Sequence, residues 1–401
     1  MSRKLAHRLD AIVPSVTLAM NARAAELRAR GVDVFAFGVG EPDFDPPKFV
    51  LDAAKAAVDQ GVSKYTAVTG VAPLKKAICD AATRWRGYTP TADQVCVSVG
   101  AKHVLFNIAL ALYEPGDEVI IPAPYWVSYP EQVRLVGATP VIVETSESDG
   151  WRMSPEALAA AITPKTKAII LCTPSNPTGA AYDEAQLGAL LDVVRRHDVW
   201  LVIDEIYADL VYDHFKYVSA PALAPDLRDR IVIVDGVSKS FAMTGWRIGW
   251  SVAPAALAKA IETIQGQSTT NATAVAQQAA LAALNGPRDA LDAMRATFEA
   301  RRDVMVTGLN SLSGVRCRKP EGAFYVFADC RGLYGIKAGD RVIATDDDVA
   351  SWLLDSARVA TVAGGAFGAP GYVRFSYATS EARISAGIAS IRSAISHASR
   401  I

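Results

Sequence analysis

Histidine and cysteine are both scarce, at five of each in 401 residues. Neither forms a metal-binding pattern: there is no C-x-x-C, and no histidine stands at ligand spacing from Cys79, Cys96, Cys172, Cys317 or Cys330. A zinc centre or a redox dithiol is therefore not the basis of activity, the expected metal set is none, and scattered thiols fit a reducing compartment. An excess of one charge is missing too. Lys plus Arg number 41 against 42 for Asp plus Glu, a net charge of -1, so there is no basic field for nucleic acid or anionic lipid. Long apolar runs are absent: stretches such as 108–113 fall far short of the roughly 20 residues of a membrane span. The start, 1–14, carries basic residues but no apolar signal core. No fixed-period repeat or low-complexity tract points to a solenoid or propeller. These absences set the expectation of a soluble, cytoplasmic protein acting on small molecules.

What is present is apolar mass. With 51% hydrophobic residues and a mean hydropathy of +0.17, the chain can bury large cores in two domains. From residue 48 a strand–helix rhythm sets in. The runs 95–99, 118–121, 140–143, 168–172, 200–204, 231–234 and 248–252 are mostly uninterrupted and β-branched, as in a parallel sheet covered on both faces. Helical segments such as 101–112 and 184–196 lie between them. The prediction is an α/β fold: a large domain, 48–310, with a mostly parallel seven-stranded sheet covered by helices. Before it come a helix over 15–30 and a short strand over 35–39. After a helical stretch over 255–311, strands at 324–328, 359–362 and 372–376 and helices at 346–357 and 381–397 predict an α+β segment. A small domain built from both termini, 1–47 and 311–401, follows. Gly38 and Gly40 do not make a dinucleotide fingerprint, because Asp43 occupies the third glycine position and Pro42 interrupts any helix.

Chemistry-bearing residues fall just past the ends of these strands. Lys239 follows the apolar run 231–234 among small residues; a desolvated lysine loses basicity and can form a Schiff base, although a surface loop lysine is the competing reading. Arg247, eight residues on, supplies a fixed charge for an anion such as phosphate. Gly100, Ala101 and Lys102 end a strand and open a helix, whose free N–H groups make a phosphate cradle or an ordinary turn. Trp126 follows strand 118–121 and can stack on a planar ring or pack in the core. Two prolines and a glycine constrain the backbone around Asn176, and X-Pro bonds in such a turn are candidates for the cis form. Asp204 ends a fully apolar strand, where a carboxylate needs a cation, and Tyr207 lies three residues on. Arg374 sits inside an apolar strand after a Gly-rich loop and needs an anion, for which its planar fork suits a carboxylate. A Schiff-base lysine, an acid for a ring cation, hydrogen-bonding groups for a ring oxygen, a stacking surface and a phosphate grip describe pyridoxal 5'-phosphate.

Five motifs carry a resemblance: Gly40-Glu-Pro-Asp-Phe44, Pro124-Tyr-Trp-Val-Ser-Tyr129, Asn176-Pro-Thr-Gly179, Asp204-Glu-Ile-Tyr207 and Ser238-Lys-Ser-Phe-Ala-Met-Thr-Gly-Trp-Arg247. With these, the chain resembles the fold-type I, class I aminotransferases over nearly its whole length, and within them the bacterial aspartate aminotransferase subgroup Iγ. The resemblance implies that Lys239 holds the cofactor as its Schiff base and shuttles a proton, that Asp204 pairs with the pyridine nitrogen, and that Tyr207 and Asn176 bind the ring oxygen. It also implies that Gly40, Asn176 and Arg374 receive the substrate α-carboxylate while Trp126 stacks on the ring. Gly100, Ala101, Lys102 and Arg247 would meet the phosphate, joined by Tyr65 from a second subunit, which makes a homodimer with shared sites. Gly236 stands where some relatives carry a serine, and Ala363 where many carry a proline.

The same resemblance associates Thr17 and Lys102 with the distal carboxylate of a dicarboxylic substrate. It implies amino-group transfer between aspartate or glutamate and a 2-oxo acid, 2-oxoglutarate or oxaloacetate, with prephenate as a further acceptor and a place in amino-acid biosynthesis. The rival readings are an aminotransferase of aromatic or neutral amino acids, a β-lyase on the same scaffold, and a catalytically silent effector sensor.

Overall fold

Seven strands line up into one sheet: β1 (Val95–Val99), β2 (Glu118–Ala123), β3 (Thr139–Glu144), β4 (Thr166–Cys172), β5 (Trp200–Asp204), β6 (Ile231–Gly236) and β7 (Ile248–Val252). They belong to a computed structural model that describes residues 5–13, 16–338 and 341–399, with the side chains of 16–18, 21 and 341 outside that description. Spatially the order is β1-β7-β6-β5-β4-β2-β3. Neighbours from β6 through to β3 pair in parallel, whereas β7 runs antiparallel to both β1 and β6. This is the mostly parallel sheet that the apolar runs predict.

Alternating side chains send each strand to two cores. Ile169, Leu171, Leu201, Ile203 and Ile233 pack on one face against residues such as Val50, Leu74, Leu187 and Ala279. Ile170, Val202, Val232 and Val234 pack on the other against Val104, Ile108, Leu257 and Ile261. Full burial of one such side chain is worth about 1.5–3 kcal/mol, so both faces resist polar substitution. The covering helices begin where the sequence provides caps: Asp183 and Gln186 form a reciprocal capping box at the start of helix Glu184–Arg195.

The C-terminal part makes a four-stranded antiparallel sheet in the order Val362–Ala363, Tyr372–Ser376, Tyr325–Asp329, Arg316–Cys317. The predicted strand 359–362 is divided at Thr361. Its first half, Val359–Ala360, pairs in parallel with Phe35–Ala36, which is all of the predicted strand 35–39 that forms. This pairing ties the N-terminal segment to the C-terminal one. The predicted helical stretch 255–311 is three helices, Ala255–Gly266, Ala274–Asn285 and Asp289–Asn310. The last is shared between cores: Leu291 packs with the large sheet, and Met294, Phe298, Met305 and Leu309 with the smaller one.

Parallel register is what places the site. Cys172 lies opposite Asp204, and Asp204 opposite Val234, so the C-terminal ends of β4, β5 and β6 stand in one row. In open α/β sheets the groups just past such ends face a common crevice.

Candidate active site

A cavity of about 540 Å³ opens at that row, within the size range of cofactor and substrate sites. Its walls include Gly40, Ala101, Lys102, Trp126, Asn176, Asp204, Tyr207, Lys239, Arg247 and Arg374, so the structure brings together most of the residues singled out in the sequence. Gly100 stands directly behind Ala101 as the cap of helix Ala101–Leu112. Two residues stand apart. Tyr65 is 88% exposed and does not line the cavity. Thr17 lies on helix Val16–Ala29, but its side chain is outside the described residues.

Lys239 donates from Nζ to the Gly40 carbonyl at 2.6 Å. Burial, reinforced by the nearby Arg247 and Arg374 and opposed by Glu41 and Asp204, brings its ammonium down from 10.5 to about 8. The β5 acid Asp204 is buried; its Oδ2 accepts from the Tyr129 hydroxyl at 2.8 Å and its Oδ1 from the Ile206 N–H at 3.1 Å. Burial pushes it up to about 6, against the pull of those two bonds and of Lys239. The Tyr207 hydroxyl lies 2.9 Å from that of Tyr325.

Arg374 is 2% exposed and no carboxylate pairs with it among the described residues. It donates to Oδ1 of Asn176 at 2.8 Å and to the Gly38 carbonyl at 2.9 Å, and its Nε is buried without a partner. Its guanidinium carbon sits 4.5 Å from the Tyr325 ring centre and 5.0 Å from that of Phe367. Burying a cation with neutral partners and an unused donor is costly, and such a group is ready for an incoming anion.

At the other end of the cavity, glycines permit a close approach. Gly100 has φ +81° and ψ +161°, and a Cβ there would stand 2.6 Å from the Arg247 guanidinium; one on Gly249 would stand 2.4 Å from the Ala101 nitrogen. Helix-start N–H groups and a guanidinium thus face the same space, the arrangement that suits a phosphate. Lys102 Nζ sits 5.0 Å from the centre of the half-buried Trp126 ring, and burial together with Arg247 lowers its basicity. The peptide bonds before Pro124, Pro174 and Pro177 are cis.

A family model for class I and II aminotransferases matches residues 32–391. This chain belongs to that family. The aminotransferase is similar to the aspartate/prephenate aminotransferase of Cereibacter sphaeroides, with 48% identity over 94% of this chain and 95% of that protein. It is similar also to an aspartate aminotransferase of Rhizobium meliloti, 45% identical over 97% of this chain and 95% of that one. Among solved structures, the aspartate aminotransferase from Rhizobium meliloti superposes with a TM-score of 0.96 at 44% identity, covering 99% of this chain and 100% of that one. That from Thermus thermophilus with maleate gives 0.92 at 40%, covering 98% and 100%. Aminotransferases of this family use pyridoxal phosphate. The residues present fit that cofactor: a buried acid, an amine of lowered basicity, and a glycine-built anion cradle share one cavity.

Sequence reasoning did not assign Tyr129, Tyr325 or Phe367. Tyr129 stood in a quoted motif, three residues after Trp126. Tyr325 lay within the predicted strand 324–328 and showed only as an apolar residue; no local pattern marks a tyrosine whose partner is 118 residues away.

Proposed function

We propose that this aminotransferase moves the amino group of L-aspartate or L-glutamate to a 2-oxo acid, 2-oxoglutarate or oxaloacetate, and that prephenate also serves as acceptor. The observation that carries this reading is a pair of separate cations in one cavity: Arg374, without a carboxylate of its own among the described residues, and Lys102 above Trp126. A substrate with two carboxylates satisfies both, and prephenate is one. The relatives support the reading, since those named above act on aspartate or on aspartate and prephenate by name, and one is solved with maleate, a dicarboxylate.

When bound, pyridoxal phosphate supplies an electron sink for the pair left as a proton leaves the substrate Cα. Lys239 is the residue to attach it and then to carry that proton. At a value near 8, about a tenth of its amine is neutral at pH 7, against roughly one in a thousand or fewer for an ordinary lysine. Asp204 holds a proton on the ring nitrogen, positioned by Tyr129. Tyr207 and Asn176 hold the ring oxygen, Trp126 covers the ring, and Gly100, Ala101, Lys102 and Arg247 hold the phosphate. Gly40, Asn176 and Arg374 hold the α-carboxylate, and Thr17 joins Lys102 on the distal one.

Tyr65 belongs to a homodimer in this reading, reaching the partner's phosphate site. Its exposure supports this, as does the fixed segment after it: Gln277 donates to Thr66 at 3.0 Å and accepts from the Val71 N–H at 2.8 Å, and Gln265 donates to the Val68 carbonyl at 2.6 Å. A side chain held outward on a rigid segment is built for a neighbour. The division into two domains, 48–310 and 1–47 with 311–401, is supported by the two cores, with helix Asp289–Asn310 packing into both. A cytoplasmic location is supported by five free cysteines, and among the described residues no helix is long and apolar enough to cross a membrane.

Borohydride reduction after loading with pyridoxal phosphate, followed by peptide mapping, should place the label on Lys239. A panel of amino donors against 2-oxoglutarate and prephenate should then favour aspartate and glutamate. A label elsewhere removes the assignment of Lys239, and equal turnover of phenylalanine removes the dicarboxylate reading.

A further inference from the structure

We propose that Tyr325 is a positioning residue with two separable tasks: its hydroxyl sets Tyr207, and its ring sets Arg374. The proposal rests on the reading of the site given above. Tyr325 opens the strand Tyr325–Asp329 of the smaller sheet and is fully buried. Its hydroxyl is 2.9 Å from Tyr207, which follows the end of β5 in the large sheet, and its ring centre is 4.5 Å from the guanidinium carbon of Arg374. One side chain therefore touches both the residue assigned to the ring oxygen and the residue assigned to the α-carboxylate. It also lies against Gly40, where a Cβ would stand 3.4 Å from its hydroxyl oxygen.

Proton arithmetic fixes the direction of the tyrosine pair. Each phenol has one hydrogen to give. If Tyr207 gives its hydrogen to the ring oxygen, it accepts from Tyr325. Burial keeps both hydroxyls protonated, raising each above its usual value, with Arg374, Cys172 and Glu41 as the charged and titratable groups around the pair. A donor that itself accepts a hydrogen bond becomes a stronger donor. Tyr325 thus strengthens the grip of Tyr207 on the oxygen, which draws charge from it and makes the neighbouring nitrogen of the lysine linkage less basic.

The ring has an independent role. Arg374 lies between the Tyr325 and Phe367 rings, and hydrogen-bonds only to Asn176 and the Gly38 carbonyl among the described residues. Ring faces favour a cation over them and restrict its rotation without consuming its donors, so the fork stays aimed and unspent.

The test is a spectrophotometric pH titration of the bound cofactor, with steady-state kinetics alongside. Tyr325→Phe keeps the ring and loses the hydroxyl; its titration midpoint should rise by at least about 0.3 pH unit, with KM for aspartate within about twofold of the parent. Tyr325→Leu loses both and should show the same midpoint shift with KM raised about tenfold or more; Tyr325→Met serves if the leucine variant does not fold. In a Tyr207→Phe background, the second change Tyr325→Phe should add no further shift. An unchanged midpoint in Tyr325→Phe, or additive shifts in the double variant, overturns the hydroxyl role. A KM in the leucine or methionine variant equal to that of Tyr325→Phe overturns the ring role. If the parent protein itself gives no titrating absorbance and no borohydride label at Lys239, the site reading fails and the proposal falls with it.

Discussion

The Tyr129 hydroxyl donates to Oδ2 of Asp204 at 2.8 Å, so a phenol reached from the helix after β2 holds the acid at the end of β5. Burial raises Asp204 to about 6 and this bond restrains the rise. Tyr129→Phe should leave Asp204 less ionised at neutral pH and weaken cofactor binding about tenfold, the worth of one hydrogen bond to a charged group. In the parent protein, affinity should fall as pH drops through about 6, because a protonated Asp204 no longer attracts a ring cation. Cofactor fluorescence quenching between pH 5 and 8 measures both. A flat profile would contradict the pairing.

The two substrate cations should respond to different parts of the donor. Arg374→Lys removes the planar fork and should raise KM for every amino acid donor, by about 100-fold, whatever its side chain. Lys102→Ala should raise KM for aspartate and glutamate by about tenfold or more, yet change alanine and phenylalanine little. Steady-state kinetics with four donors checks the contrast.

Gly100 has φ +81° and ψ +161°, a region open essentially to glycine alone. Gly100→Ala should lower stability by about 1–3 kcal/mol, and the new methyl should displace the Arg247 guanidinium. Affinity for pyridoxal phosphate should fall while that for unphosphorylated pyridoxal stays near its parent value. Parallel titrations with the two compounds, beside a urea melt, read this out.

Behind the Lys239 segment, three largely buried acids, Glu205, Asp209 and Asp235, surround Arg86, and Arg288 stands beside Asp209. Asp209 takes both, bonded by Arg86 at 3.0 Å and Arg288 at 2.9 Å, and is held well below the usual carboxylate range despite its burial. Asp235 is left with Arg86 at 3.5 Å, and burial pushes it up to about 8. Its folded value exceeds its unfolded one, so its favourable contribution is complete below about pH 4 and is lost as pH rises through about 8. Asp235→Asn should therefore raise Tm at pH 9 relative to the parent and flatten the Tm profile between pH 6 and 9. Calorimetry at several pH values decides it; an unchanged profile would show that Asp235 does not carry the proton.

Where apolar side chains determined the structure, the sequence was readable. The runs at 95–99, 200–204 and 248–252 form strands with those bounds, because short, mostly apolar stretches have a two-faced core to enter. Local steric demands were readable as well: Gly100 caps its helix, and the X-Pro bonds on either side of Asn176 are cis. Strand order and the reversed direction of β7 were not, since neither leaves a mark on the strand's own residues. Tyr129, Tyr325 and Phe367 were missed for a related reason. Tyr129 and Tyr325 act through partners distant in the chain, Asp204 and Tyr207, while Phe367 meets the nearby Arg374 only because the chain turns back between them; each looks locally like any core aromatic.

Two of the site's cations rest on main-chain oxygens: Arg374 on Gly38 and Lys239 on Gly40. Point substitution cannot delete a carbonyl, so mutational drift around these anchors is limited to what shifts the peptide itself. Loop length becomes the sensitive variable. Libraries aimed at new donor preferences can randomise the side chains near Lys102, whereas a single-residue insertion or deletion between 37 and 41 would misalign both anchors at once.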